Sequence, residues 1–286
     1  MSIVIDTPYR STRGRKPASP AFYYALHNDA AGGTALVDRF GNARDMFLAG
    51  TVGTSWTKNR GYLTLNGTDQ HAVGTSGTGQ DYAGQDVMAD ALLTPGRSLY
   101  IGWLIRWDSA KTTTNEAVIQ LGRSNANSAS FCLGHNNTGI INFQARGVGA
   151  SATTSQTFGG SSLYLANTEH ACMVHCLGIA GGFRVTAYLD GAGVGGALDY
   201  LWTNNGGAVP TLATFAHADG VNIGALDAGA SSGSPSWLQR VGASTTQNTR
   251  LACVWAVNTT NDAAAQALAL EAHQYRRQIG AVLAGL

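Results

Sequence analysis

From residue 21 to about residue 257 the chain is written in short apolar runs, nearly all closed by Gly, Asn, Asp, Ser or Thr. AFYYAL, GYLTLNG, SLYIGWLIRW, AVIQLG, SFCLGH, IINFQARG, ACMVHCLGI, FRVTAYLDG, GVNIGAL and LACVWAVN are the plainest of them. Each shows partial period-two alternation over about four to ten residues, the pattern of strands held between turns. In SLYIGWLIRW, Leu99, Ile101, Trp103, Ile105 and Trp107 share one face, and Tyr100, Gly102, Leu104 and Arg106 share the other. One apolar face and one mixed face suit a layer of a sandwich or barrel. No helical segment shows between the runs, so parallel strand–helix–strand architecture is excluded. The pattern predicts an all-β, antiparallel β-sandwich.

The two ends differ from this body. Residues 1–20 hold Arg10, Arg13, Arg15 and Lys16 against Asp6 alone, together with Pro8, Pro17 and Pro20. Such a segment buries too little apolar surface to fold by itself and predicts an extended basic arm. The body has no continuing basic patch, which argues against nucleic acid as a partner. At the other end, DAAAQALALEAHQYRRQIGAVLAGL places Leu268, Tyr275, Ile279 and Val282 or Leu283 on one helical stripe. Asn261 or Thr260 suits its start, and Arg276 and Arg277 suit its C-terminal half. The expectation is one sandwich domain over 21–258, with a helix over 259–286 packing on the sandwich or on a neighbour. No apolar run reaches the ~18 residues of a membrane span, so no membrane insertion is expected. The opening MSIVIDTPYRSTRGRK lacks the apolar stretch of a secretion signal.

The four cysteines predict no disulfide. Cys172 and Cys176 lie four residues apart on a strand-like run, roughly 13 Å, which no disulfide bridges. Cys132 and Cys253 also sit inside apolar runs, so all four read as small core residues of a chain that folds in a reducing cytoplasm. His170 and His175 stand near Cys172 and Cys176, yet no second ligand pair follows at a zinc-like spacing, and no metal is assigned.

In order along the chain, the landmarks resemble the laminin G-like jelly rolls of the concanavalin A-like lectin/glucanase superfamily. ALHNDAAGGTALVDRFGNARDMFLAG, with Asp38, Gly41 and Asn42, resembles the opening of that family, and SWTKNRGYLTLNGTDQHAV, with Trp56, Asn66 and Gly67, its next segment. SLYIGWLIRW is similar to its aromatic-rich strand, with Trp103 at the tryptophan. TEHACMVHCLGIAGGFRVTAYLDGAGVG is similar to a strand pair ending in a Tyr-x-Asp-Gly turn (Tyr188, Asp190, Gly191). VNIGAL and LACVWAVNTTNDAAAQAL resemble its closing strands. His170 departs from the pattern, standing where the family usually has Trp. The resemblance spans roughly residues 21–272 and implies a concanavalin A-like jelly roll.

That fold serves enzymes, lectins and structural modules, so function rests on the site. Glucanases of the superfamily carry paired carboxylates on an E-x-D-x-x-E strand. Here the glutamates are Glu116, Glu169 and Glu271, none in that pattern, and Asp86 and Asp90 read as loop residues. There is no G-x-S-x-G elbow for a Ser-His-Asp triad. The reading is therefore non-enzymatic, with a glycoside hydrolase the least favoured alternative. As a lectin, the chain offers Tyr200, Trp202, Asn204 and Asn205, aromatics beside a Gly/Asn loop, although Trp202 also suits the core, and Trp237 is similarly open. Calcium at the Asp38 turn is conceivable, but an Asx turn explains those residues without a metal, and no cofactor is assigned. At 12% charged residues the chain carries about half the usual charge, as expected of a protein packed among neighbours. Taken together, these features point to a bacteriophage virion protein, in capsid decoration or tail, folded in the host cytoplasm. The arm (Arg10, Arg13, Arg15, Lys16) would clasp other virion subunits in a homo-oligomer, and the sandwich would face a host-surface glycan. A stand-alone carbohydrate-binding module is the alternative.

Overall fold

The structure is a computed structural model that describes residues 19–24, 35–36, 46–49, 58–59, 62–65, 71–73, 83–107, 115–122, 128–159, 168–215, 221–224, 226–227, 237–238 and 249–259. Its strands are β1 (Ser19–Tyr24), β2 (Ala35–Leu36), β3 (Met46–Ala49), β4 (Lys58–Asn59), β5 (Tyr62–Leu65), β6 (His71–Val73), β7 (Ser98–Trp107), β8 (Glu116–Gly122) and β9 (Ser130–His135). They continue as β10 (Ile141–Arg146), β11 (Thr154–Thr157), β12 (Glu169–Ile179), β13 (Gly182–Leu189), β14 (Ala192–Leu201), β15 (Val221–Ile223), β16 (Leu226–Asp227), β17 (Trp237–Leu238) and β18 (Thr249–Thr259). Helix α1 covers Ala83–Leu93 and α2 covers Leu212–Phe215.

All pairings among these strands are antiparallel. One sheet runs β14-β13-β12-β7-β18-β5-β4, with β1 beside β5 on the same side of β18. The second runs β11-β10-β9-β8-β15-β6-β3-β2. The antiparallel sandwich expected from the alternation is therefore what the chain builds. Ser19 and Pro20, assigned above to the arm, pair with Asn258 and Val257, so the sheet starts before residue 21. The rest of the arm and the segment after Thr259 lie outside the described residues, as do Asp38 and Glu271.

The alternation in β7 decides the core. Leu99, Ile101, Trp103, Ile105 and Trp107 face the second sheet with Cys172, Val174 and Cys176 of β12, and all are buried. Opposite them stand Phe131 and Leu133 of β9 and Ile141, Phe143 and Ala145 of β10. Towards the β10/β13 side aromatic rings close the gap. Phe183 meets Phe131 edge-on at 5.3 Å and touches Phe143 at 5.9 Å, Tyr200 at 5.1 Å and Trp202 at 5.1 Å. Such rings contribute large apolar area plus edge-to-face attraction.

Two elements depart from the expectation. Residues 83–93 form a helix rather than a loop, which places Asp86 and Asp90 on α1. Ala, Leu, Met and Gln are good helix formers, and Met88, Ala89, Ala91 and Leu92 are buried. The helix links β6 in one sheet to β7 in the other, so it creates no parallel unit. Its end is tied by Thr94 Oγ1 donating to Asp90 Oδ1 at 2.8 Å, and Gly178 N donates to Arg97 O at 2.8 Å. The second departure is β14, which is absent from the runs named above because glycines at 193, 195 and 196 interrupt its side-chain alternation. It forms because Asp190 (φ 50°) and Gly191 (φ 85°) make a two-residue turn that feeds it back along β13.

Candidate functional site

The segment DYLWTNNGG is split by β14. Tyr200 registers with Phe183 on β13, and Tyr200 and Trp202 are each 1% exposed. Their rings meet edge-on at 5.3 Å and both pack on Phe183. No ring face remains for a sugar, which corrects the reading of Tyr200 and Trp202 as stacking platforms; these rings are core. Burial pushes the Tyr200 phenol up to about 12, against the pull of a Gly147 backbone hydrogen bond, the Arg146 charge and a Thr154 hydrogen bond. Asn204 is half-buried. Asn205 is exposed and adopts φ 56°, a conformation Asn tolerates. Its Nδ2 donates to Ala152 O at 3.1 Å and Thr154 Oγ1 at 3.0 Å, while its O accepts from Ser151 N at 2.9 Å. That amide pins the loop between β10 and β11. The large apolar side chains exposed among the described residues are instead Leu201 in this segment and Val209 and Leu212 just after it. Arg10, Arg13, Arg15 and Lys16 lie outside the described residues.

Polar groups between the sheets are tied to one another. Trp103 Nε1 donates to His135 Nε2 at 3.0 Å, and His135 Nδ1 lies 3.0 Å from Gly139 O, a pattern that makes Nδ1–H the donor. Trp107 Nε1 donates to Glu116 Oε2 at 3.1 Å. Asp190 Oδ2 accepts from His170 Nδ1 at 2.8 Å and Oδ1 from Ala171 N at 2.9 Å, so the β13–β14 turn is fastened to β12. On the other face of that sheet, His175 stacks on Tyr100 at 4.5 Å and contacts Ser98 Oγ at 3.1 Å, both partners being buried. Among the described residues no group of three or more His, Cys, Asp or Glu side chains converges as a metal site would require. Cys132, Cys172 and Cys176 are free and buried. Burial raises all three thiols, Cys132 to about 12, and the Asp190 charge raises Cys172 further.

The outer side of the second sheet is built from different chemistry. Pairing registers place Ala35, Phe47, Val73, Asn222, Gln120, Cys132, Gln144 and Ser155 in one row across all eight strands. Because Phe131, Leu133, Phe143 and Ala145 point into the core, Cys132 and Gln144 point away from it, and so do Gln120, Asn222 and Ser155 in register with them. The neighbouring rows hold Gly122, Ser130 and Arg146 on one side, and Ala117, Gly134, Asn142 and Thr157 on the other. Along β9 the outward residues are thus Ser130, Cys132 and Gly134, all small. A Cβ on Gly134 would sit 1.8 Å from Glu116 O, so nothing larger fits there. Longer side chains flank this floor, with Gln120 and Asn222 on one side and Asn142, Gln144 and Arg146 on the other. Adjacent strands lie about 4.8 Å apart, so the flanks stand about 10 Å from each other.

This face is closed at its middle and open at the β11 edge. Asn222, Gln120, Cys132, Asn142 and Gln144 are buried, Arg146 is half-buried, and Ser155 and Thr157 are exposed. Asn222 Nδ2 donates to Gln120 Oε1 at 3.4 Å. Amides and hydroxyls both donate and accept hydrogen bonds, which is the chemistry that matches sugar hydroxyls. IINFQAR carries the signal in sequence, since Asn142, Gln144 and Arg146 alternate with Ile141, Phe143 and Ala145.

No family model and no curated protein matches the chain. Among solved structures it is similar to the binding domain of botulinum neurotoxin DC in complex with SialylT, at 10% identity and a TM-score of 0.53, covering 92% of this chain and 52% of that one. It is similar to a botulinum neurotoxin type C structure concerned with cell entry that depends on two ganglioside molecules, at 11% identity and a TM-score of 0.51, over 91% of this chain and 51% of that one. Trypanosoma rangeli sialidase matches at 12% identity and a TM-score of 0.50, over 92% of this chain and 34% of that one. The chain spans about half the length of the toxin chains it matches. At these identities the likeness is one of fold, a β-sandwich of lectin-like type.

Proposed function

We propose that this chain is a non-catalytic, lectin-like binding module that takes a glycan on the outer side of its second sheet, at the open β10–β11 edge. The observation that carries the reading is the accessible polar row there: Ser155 and Thr157 are exposed and Arg146 is half-buried, while Gln144 and Asn142, in register with the two hydroxyls, lie buried behind them. The binding of gangliosides and a sialylated ligand by structural neighbours lends support at the level of fold. Three of the described carboxylates are engaged in holding the fold: Glu116 holds Trp107, Asp190 holds His170, and Asp199 holds Arg184. The setting we propose is a bacteriophage virion, with the arm residues Arg10, Arg13, Arg15 and Lys16 engaging a neighbouring subunit. That part rests on the basic, proline-bearing arm and the low charge of the body.

The test is a glycan array probed with the labelled chain and with a Ser155→Ala/Thr157→Ala variant. Binding of the wild type to a defined set of glycans, weakened about tenfold in the variant, is expected from the loss of two hydroxyl hydrogen bonds. An array with no bound glycan, or equal binding by both proteins, would overturn the reading.

A further inference from the structure

Two arginines on this sandwich are treated differently. Arg184, exposed on β13, meets Asp199 of β14 through two hydrogen bonds, Nε to Oδ1 at 2.6 Å and Nη2 to Oδ2 at 2.8 Å. Arg146, half-buried at the end of β10, has Nη2 donating to Ala150 O at 2.6 Å as its polar contact. Its Nε is buried and has no hydrogen-bond partner. Among the described residues no carboxylate pairs with it.

A cation taken partly out of water without a counter-charge costs free energy, and such groups are ordinarily paired. Here the guanidinium is also held in place. The loop between β10 and β11 closes on it through Ala150, and Asn205 of the neighbouring segment pins that loop, its O accepting from Ser151 Oγ and its Nδ2 donating to Ala152 O. A positioned guanidinium presents a planar array of donors that fits a carboxylate or sulfate better than a mobile lysine would. It stands in the outward ladder, next in line after Gln144, which registers with the exposed Ser155, and is itself in register with Ser130 of β9.

We infer that Arg146 is the anion-recognising residue of the glycan site and that the ligand is an acidic sugar, its oxyanion group placed against the guanidinium. The inference rests on the glycan-binding reading above and adds the class of sugar.

The experiment uses the full chain and four probes by isothermal titration: polygalacturonate, its fully methyl-esterified form, dextran sulfate and neutral dextran. Binding of polygalacturonate at least about tenfold tighter than of its ester is expected, with that advantage lost in Arg146→Gln and only partly kept in Arg146→Lys. Arg184→Gln removes the same formal charge from another surface and should leave the advantage intact. Dextran sulfate binding with the same Arg146 dependence would identify the oxyanion as sulfate rather than carboxylate. Should Arg146→Gln fail to fold, Arg146→Lys carries the test, since it keeps the charge and loses the fork. Equal affinity of wild type and Arg146 variants for every charged probe, or equal binding of ester and acid with no Arg146-dependent binding of dextran sulfate, would overturn the inference. If neutral glycans bind the array while charge and Arg146 make no difference, the acidic-sugar inference alone falls. If neither acidic nor neutral glycan binds, the glycan-binding reading falls as well.

Discussion

The two sides of β10 are one residue apart in sequence and opposite in purpose. Ile141, Phe143 and Ala145 are locked among the rings between the sheets, whereas Asn142, Gln144 and Arg146 form a polar ladder on the outside. The inner side is specified by volume, because rings at 5–6 Å centroid separation leave no slack. The outer side is specified by donors and acceptors arranged over a floor of small residues. Stability and recognition are thus separable on a single strand, and exchanging the properties of adjacent positions tests that separation.

The largest effect should come from the inner side. Phe143→Ala and Trp202→Ala each remove a buried ring and should cost about 3–5 kcal/mol in denaturant unfolding. Any loss of glycan binding should then track loss of fold. A folded Trp202→Ala protein, unchanged in stability but unable to bind, would restore that ring as a binding platform. Gly134→Ala probes the outer side by the same logic. Its methyl would land on Glu116 O, so β8 and β9 must part, at about 1–3 kcal/mol or more. A stability equal to wild type would show that the floor has room to spare.

How much of this was legible follows from the same strand. Alternation in β7, β9, β10 and β12 is written plainly, so the sandwich and its inward residues could be read from the chain. The strand β14 could not, because three glycines erase its side-chain pattern and only pairing with β13 makes it a strand. With β14 hidden, Tyr200 and Trp202 looked like aromatics on a loop. Helix α1 was obscured by its shortness and by two aspartates that suggested turns. Arg146 was visible as a residue but not as a site, since the absence of a carboxylate partner among the described residues is a fact of three dimensions.

The burial of the outer face makes a pH prediction. Burial lifts the Cys132 thiol from 9.0 to about 12 and the Tyr200 phenol from 10.0 to about 12, one on each side of the second sheet's core layer. Both folded-state values are raised, so the folded chain holds protons that the unfolded chain releases first. The stability they add is complete below pH 9 and declines as pH rises towards 12. Urea midpoints measured at pH 8, 9.5 and 11 should fall in that order, and Cys132→Ala should flatten the decline. Constant midpoints, or rapid reaction of Cys132 with a thiol reagent at pH 8, would mean that the outer face opens in solution.

The smallest effect separates the two arginines. Arg184 and Asp199 are exposed on the edge of the other sheet, where water and salt screen their attraction. The hydrogen bond from Arg184 holds the Asp199 carboxyl below its ordinary value. What the pair adds is therefore present at neutral pH and disappears as pH falls through that lowered value. Arg184→Ala should leave the thermal midpoint at pH 7 unchanged within error and should not alter binding. Arg146→Gln should likewise leave the midpoint nearly unmoved, because its Ala150 bond is replaceable, yet abolish the preference for acidic glycans. If Arg184→Ala instead weakened binding as much as Arg146→Gln, the recognised anion would be reading net positive charge rather than one positioned guanidinium, and the distinction between Arg184 in its salt bridge and Arg146 in the outward ladder would carry no functional meaning.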